Sequence, residues 1–347
     1  MIQMNRLRLF LILEIICDDD EALLILLLRN KYYYPNISLA LDLFNLGLDL
    51  QLNTKFRFQK RTILEILEII CVNSTIPKSL LIDKLIMFLT YIGRKINYSD
   101  IADLFGISRS KAFYDIHFMV KLILKVKNDY IKLPNSDEFK ILSEKFLKHS
   151  KLKNTVLVVD GTHVKIKNPA NSNGRYINRK KESSLNFMVA GDSDFKIRHI
   201  LGGSYGSSHD ACMFSLSDLE IFAKNNLKIY YNSDLNLHNY QQYHILGDSA
   251  YPSREYMKTP VKGELTIEDQ EWNDMLIPQR QVIERIFGYF KGKFQKFRNE
   301  IDNLDLDFVS RLFFASAIIY NITIKERISV ELEEEVLRII ESDEDNK

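Results

Sequence analysis

Four short apolar segments between residues 154 and 248 constrain the fold of this chain more than any other feature. They are TVLVVD, LNFMVAGD, KIRHILGG and YHILGD, and Gly, Asn, Ser and Asp separate them. Short apolar or alternating runs bounded by turn residues are typical of β-strands. Before residue 150 and after Pro278, apolar residues recur every three or four positions, which indicates helices. The sequence therefore predicts an α+β protein, with a helical region followed by a mixed sheet flanked by helices.

Three regions follow from this change of pattern. We expect a helical N-terminal region at 1–150, the sheet-containing domain at 151–326 and an acidic tail at 327–347. A chain of 347 residues with 46% apolar residues is long enough for two domains. Eight acidic and two basic residues lie in 331–347, whereas 277–298 holds six basic residues and one acidic residue. The tail is interpreted either as a solvated terminus or as a competitor for the basic region.

Composition limits the class of protein. The three cysteines are far apart and odd in number, which fits neither a disulfide framework nor a zinc site with paired ligands. Glu14 interrupts the apolar N-terminal segment, which predicts a soluble helix rather than a signal peptide. The apolar run at 22–28 is shorter than the roughly 20 residues of a membrane span. We therefore expect a reducing interior and no membrane segment.

Residues 96–126 predict a helix-turn-helix. Ser99 could cap the first helix, and Gly106 permits a tight turn after it. The second helix opens with Arg109 and Lys111, which are suited to contact phosphates and base edges of DNA. A helical hairpin with no DNA-binding role remains the alternative.

Three carboxylates stand out by position. Asp160 and Asp248 each follow an apolar run, and Glu284 lies on a C-terminal helix. Each alone has an ordinary explanation, since aspartates cap turns and glutamates lie on helix surfaces. Together they would supply an oxygen-only site of the kind that holds Mg²⁺ or Mn²⁺. Two such ions could activate water or a 3′-hydroxyl for attack on a phosphodiester.

Glu284 shares one stripe of its helix with two basic residues. In a helix that begins near Pro278, Arg280 and Lys291 lie on the same face as Glu284, and Gly288 between them leaves room for a ligand. An acid flanked by cations on such a face suits a metal with a phosphate.

Five motifs occur in a fixed order along the chain: VVDGTH, YINRK, GSSHD, LGDSAYP and RQVIERIFGYFKGKF. In this order they resemble the PIF/Harbinger transposases, the harbinger transposase-derived nuclease of animals and related bacterial insertion-sequence enzymes. Between Asp248 and Glu284 lie 35 residues, an interval typical of acidic-triad transposases.

The resemblance implies an RNase H-like core in which Asp160, Asp248 and Glu284 are the catalytic ligands of Mg²⁺ or Mn²⁺, with two ions bound. Asp210 in GSSHD is the alternative to Asp248 as the second carboxylate. Other motif positions are implied to contact DNA or to act as accessory groups, and they are Arg179, Lys180, Arg280, Lys291, His163 and His209.

The implied substrate is double-stranded DNA, with terminal inverted repeats and a target site. The resemblance further implies strand transfer, a homo-oligomer, a separate Myb-like DNA-binding partner and a nuclear location, with the cytoplasm as the alternative. A domesticated helix-turn-helix protein that no longer uses the chemistry is the rival interpretation. An RNA-directed nuclease is a third, which the helix-turn-helix disfavours because the major groove of A-form RNA does not admit a helix.

Overall fold

The computed structural model describes residues 58–148, 150–170, 172–230, 240–302 and 305–324. The first 57 residues and the predicted acidic tail lie outside the described residues. The role of the tail therefore stays a prediction.

A five-stranded mixed sheet forms the centre of the C-terminal part. Its strands are β1 (Thr155–Lys165), β2 (Ser184–Gly191), β3 (Ile197–Tyr205), β6 (His244–Leu246) and β7 (Met257–Lys258), while β4 (Lys228–Tyr230) and β5 (Tyr240–Gln242) pair separately. The order is β3-β2-β1-β6-β7; β1, β2 and β3 pair antiparallel, and β6 and β7 run parallel to β1. The four apolar segments are β1, β2, β3 and β6, as predicted. This mixed sheet, flanked by helices, agrees with the expected RNase H-like fold.

Helices make up the described part of the N-terminal region. They are α1 (Lys60–Cys71), α2 (Lys78–Gly93), α3 (Tyr98–Phe105), α4 (Arg109–Leu124), α5 (Lys127–Tyr130) and α6 (Ser136–Leu147). Asn97 caps α3, since its side chain accepts from the backbone N–H groups of Ser99 and Asp100. The Asp100 carboxylate accepts from the Asn97 N–H in return, which completes a capping box. The expected cap at Ser99 was wrong by two positions.

The predicted helix-turn-helix corresponds to α3, a turn and α4. Gly106 ends α3 with a φ of 58°, in the left-handed region that glycine adopts without strain. At the start of α4, the Ser108 side chain accepts from the Lys111 N–H at 3.2 Å. The Lys111 ammonium also pairs with the buried Asp115 at 2.6 Å, and Lys84 pairs with the same carboxylate. The DNA-binding role of this hairpin stays a prediction.

The chain divides into two compact units. Of the described residues, those at 58–91 and Ile96–Met119 form one, and Ile92–Lys95 with those from Val120 to Ile324 form the other. Helix α6 lies in the second unit because it packs on β1, and its Phe139 belongs to the core of the sheet. The division therefore falls before the boundary at residue 150 that the sequence predicted.

The remaining helices are α7 (Asp210–Ser215), α8 (Asp218–Asn226), α9 (Ile267–Lys293) and α10 (Leu306–Ile324), with a 3₁₀ turn at Gln295–Arg298. Helix α9 begins earlier than predicted, because Thr266 and Asp269 form a capping box there. Pro278 lies inside this helix rather than at its start. The side chain of Ile286 packs at Gly191, where an added Cβ would lie 2.1 Å from it, so α9 lies against β2.

Helix α10 is apolar and mostly buried. By length and composition it could cross a membrane, but 78% of its most apolar window is buried inside the protein. Its Phe313 stacks on Phe187 of β2, with 4.1 Å between ring centroids, and packs on Phe290 of α9 at 4.9 Å. Such burial is typical of a core helix.

Candidate active site and cationic pocket

The pairing of β1 with β6 brings Asp160 and Asp248 to the same level of the sheet. The last paired residues of these parallel strands are Val158 and Leu246. Asp160 and Asp248 each come two residues later, beyond the paired segment. Asp248 follows the end of β6, as predicted. The expected strand end at Asp160 was wrong, since β1 continues to Lys165 by pairing with β2.

Asp210 is a third carboxylate beside Asp160. It is the first residue of α7, and its Oδ1 would lie only 2.7 Å from a Cβ built on Gly161. Glycine at 161 therefore lets the Asp210 carboxylate approach β1. The amide Nδ2 of Asn186 donates to Asp210 Oδ1 at 3.2 Å and holds it there.

The electrostatics of Asp160 reflect this grouping. Loss of solvent, followed by the charges of Asp248 and Asp210, raises the pKa of the Asp160 carboxyl to about 6. The Gly161 N–H, 2.7 Å from Asp160 Oδ1, and the charge of Arg280 oppose this rise in pKa. The structure thus brings Asp160, Asp248, Asp210 and Arg280 into one neighbourhood.

Three buried polar atoms in this region have no hydrogen-bond partner among the described residues. They are the Tyr251 hydroxyl, the Arg280 Nε and the Asn186 Oδ1. Tyr251 is only 3% exposed, and burial, followed by the charges of Asp210, Asp160 and Asp248, raises the pKa of its hydroxyl well above the usual value. The hydroxyl therefore stays protonated and remains a donor. Unpartnered polar groups beside carboxylates are expected where a ligand completes the hydrogen bonding.

Glu284 differs from these carboxylates in its exposure to solvent. It lies on α9 one turn after Arg280, and its side chain is exposed. Within the described ranges, no three His, Cys, Asp or Glu side chains form a group that could hold a metal ion. The assignment of Glu284 as a metal ligand therefore stays a prediction.

A second site, which we call the cationic pocket, is a cavity of about 340 Å³ lined by His163, Lys165, Phe287, Gly288, Lys291, Phe297 and Arg298. The Lys291 ammonium donates to the backbone oxygen of His163 at 3.3 Å. Burial lowers the pKa of Lys291, and the nearby Lys180 and Lys165 lower it further. The stripe predicted on α9 thus contributes Gly288 and Lys291 to one cavity.

The other predicted residues fall around these two sites. His163 is half-buried, and its Nδ1 lies 3.0 Å from the Ser184 hydroxyl, so it has a structural contact as well as a place at the pocket. Arg179 and His209 are exposed and lie in contact, with 3.5 Å between Nη2 and Nδ1. Lys180 is exposed, and its charge lowers the pKa of His163.

Sequence reasoning assigned no site role to Tyr251, Lys165, Asn186 or Arg298. Tyr251 lies inside the LGDSAYP motif, and Arg298 is one of the six basic residues of 277–298, which were the available signals for them. Lys165 and Asn186 carried no signal, because their roles depend on pairing and packing across the sheet.

Comparison with known proteins identifies the domain that carries these residues. Residues 159–321 match the family described as DDE superfamily endonuclease. This segment of the chain is similar to DDE superfamily endonucleases. It includes Asp160, Asp210, Asp248 and Glu284.

The similar proteins are distant in sequence. The "Putative nuclease HARBI1" of Bos taurus is 22% identical over 232 residues, which cover 66% of this chain and 63% of the relative. The human protein of that name is 23% identical with the same coverage, and the "Protein ALP1-like" of Arabidopsis thaliana is 23% identical over 251 residues, or 70% and 60%. The chain thus spans less than two thirds of the length of these relatives. No solved structure gives a significant match.

Proposed function

We propose that this chain cleaves DNA phosphodiester bonds with Mg²⁺ or Mn²⁺ held by Asp160 and Asp248. The observation that carries this proposal is the grouping of Asp248 and Asp210 around Asp160, whose pKa is raised by burial and then by these negative charges. Such a grouping is unfavourable in the ionised state unless a cation neutralises it.

The donor set fits these metals. Every candidate ligand is a carboxylate oxygen, and Mg²⁺ commonly binds one or two carboxylates and completes its shell with water and substrate phosphate. The unpartnered Tyr251 hydroxyl, whose pKa all three aspartates raise, could donate to such a water or phosphate. The site therefore does not need a preformed group of three ligands.

Two residues compete for the remaining carboxylate role. The resemblance to acidic-triad transposases supports Glu284. The contact with Gly161 and the effect on the pKa of Asp160 support Asp210. We keep Glu284 as the third ligand of the proposal and Asp210 as its rival, because their variants give different outcomes.

Protein groups would position the reacting phosphodiester. Bound metal would activate a water or 3′-hydroxyl and stabilise the leaving oxygen. Arg280 lies beside the carboxylates with a buried, unpartnered Nε, so it can donate to a phosphate oxygen. Asp248 is held in place because the Ala250 N–H donates to its Oδ1 at 2.9 Å. Lys291 adds positive charge for the DNA strand.

The wider biology is proposed on the resemblance alone. It comprises double-stranded DNA with terminal repeats as substrate, strand transfer, a homo-oligomer, a Myb-like partner and a nuclear location. A DNA-binding protein without catalysis is the rival proposal, and the exposed position of Glu284 favours it.

Cleavage of supercoiled plasmid and of a duplex with the terminal repeats would test the proposal. Wild-type protein should nick DNA with Mg²⁺ or Mn²⁺ and not in chelator. Asp160→Asn and Asp248→Asn should each abolish nicking, while the exposed Asp274→Asn on α9 serves as the matched control. Loss of nicking in Glu284→Gln but not in Asp210→Asn would support Glu284 as the third metal ligand. Loss of nicking in Asp210→Asn but not in Glu284→Gln would assign that role to Asp210. Full nicking in chelator, or by Asp160→Asn, would refute the proposal.

A further inference from the structure

The cationic pocket is lined by three cations, one histidine and no carboxylate. Lys165 has a partner, since it pairs with Glu182 at 2.6 Å. Lys291 and Arg298 form no ion pair with any carboxylate in the described part of the chain. The pocket therefore carries positive charge that the described protein does not neutralise.

These cations repel one another. Lys165 and Lys180 both lower the pKa of Lys291, in addition to the effect of burial. Binding an anion in the pocket would relieve this repulsion, because an opposite charge within a few ångströms favours the charged form of an amine.

The pocket also has an apolar wall and an open position. Phe287 is half-buried and Phe297 is 2% exposed, and both line the cavity. A Cβ added at Gly288 would meet no described atom within 4 Å. Glycine inside a helix costs about 1 kcal/mol relative to alanine, and no contact within the described protein requires it here. The space at Gly288 is therefore available to a ligand.

Strand β1 links the pocket to the carboxylates. Asp160 and His163 are three residues apart on β1, which corresponds to roughly 10 Å at about 3.3 Å per residue. His163 connects the two sites, since its backbone oxygen accepts from the Lys291 ammonium at 3.3 Å. Burial lowers the pKa of the His163 imidazole, and of the nearby charges Asp210 raises it and Lys291 lowers it. A DNA strand cut at the carboxylates would therefore pass the pocket within a few nucleotides of the cut.

We propose that the cationic pocket binds a phosphate of the DNA strand within a few nucleotides of the scissile bond, with the attached sugar against Phe287. The proposal rests on the proposed function. It assigns Lys165 and Arg298 to DNA binding, and it defines the ligand of Lys291 as a single phosphate.

Matched variants at Gly288 test the charge of the ligand. Gly288→Glu places a carboxylate in the open space, and Gly288→Gln places a neutral side chain of the same size there. In fluorescence anisotropy with full-length protein and duplex DNA in Ca²⁺, Gly288→Glu should bind about tenfold more weakly than Gly288→Gln, as expected for loss of one charge-assisted contact. The exposed Lys140→Ala, outside the pocket, controls for net charge.

A methylphosphonate scan tests the position of the ligand. A single neutral methylphosphonate is moved one phosphate at a time over the first few nucleotides beside the cut. At one of these positions it should weaken wild-type binding, and the same change should cost Arg298→Ala much less, since that contact is already lost. Equal affinity of Gly288→Glu and Gly288→Gln, or equal methylphosphonate effects in wild type and Arg298→Ala, would overturn the pocket assignment. If wild-type protein cut DNA normally in those experiments, only this assignment would fail; if it neither bound nor cut DNA, the proposed function would fail as well.

Discussion

Replacing Asp160 with asparagine should stabilise the metal-free protein at alkaline pH. In the unfolded chain this carboxyl has its ordinary pKa of 3.8, and in the folded protein loss of solvent raises the pKa to about 6. Between these values the folded state binds more protons, so stability falls as pH rises through this window. The full destabilisation applies above pH about 6 and corresponds to about 3 kcal/mol. Asparagine has no charge and avoids it.

Urea denaturation followed by the fluorescence of Trp272 measures this effect. Trp272 is the one tryptophan of the chain, and it lies on α9 in the same compact unit as Asp160. In chelator, Asp160→Asn should raise the free energy of unfolding by about 3 kcal/mol at pH 8 and by about 1 kcal/mol at pH 4.5. The exposed Asp274→Asn on the same helix should change little at either pH.

Metal provides the second half of this test. Mg²⁺ that binds the folded site stabilises it by mass action, so it should raise the stability of wild type more than that of Asp160→Asn. If Asp160→Asn raised the free energy of unfolding in chelator by the same amount at both pH values, the electrostatic reasoning would be refuted. A loss of stability at pH 8 would refute it as well.

Two further predictions concern a buried tyrosine and the basic residues at the start of α4. Tyr251→Phe removes an unpartnered buried hydroxyl, so thermal melting in chelator should show a free energy of unfolding higher by about 1 kcal/mol. The additional stabilisation by Mg²⁺ should be smaller in this variant than in wild type. Tyr243→Phe in the same core is the control and should show neither change. Replacing Arg109 and Lys111 together with alanine should weaken DNA binding in anisotropy titrations, by about 1–3 kcal/mol if a base contact is lost. Unchanged affinity and sequence preference would leave α3 and α4 as a structural hairpin.

The strands of the sheet were predictable because their signal is local. Each apolar segment is short and ends at turn residues, and the structure has β1, β2, β3 and β6 there. The start of α9 was missed because Pro278 resembles the first residue of a helix. The better signal was Thr266 with Asp269 three residues later, but Asp in place of Glu or Gln makes the capping box less recognisable.

The candidate site was predictable only in part, for a physical reason. Each of two apolar runs ends on an aspartate, but Asp160 and Asp248 meet only if the two strands are adjacent and parallel. That pairing depends on the whole sheet and cannot be read from either run. The approach of Asp210 depends on the missing side chain of Gly161, and the isolation of the Tyr251 hydroxyl depends on packing.

Strand β1 separates two opposite electrostatic requirements of the proposed DNA-cleaving site. Carboxylates must hold metal at the scissile phosphate, and cations must hold the flanking phosphates, yet direct ion pairs between them would neutralise both. Asp160 lies toward one end of the accessible part of β1 and Lys165 at the other, and Lys165 pairs with Glu182 rather than with Asp160. Loss of Arg298 should therefore raise KM, whereas loss of Asp160 should remove kcat, because the first contact is uniform binding and the second acts on the reacting phosphate.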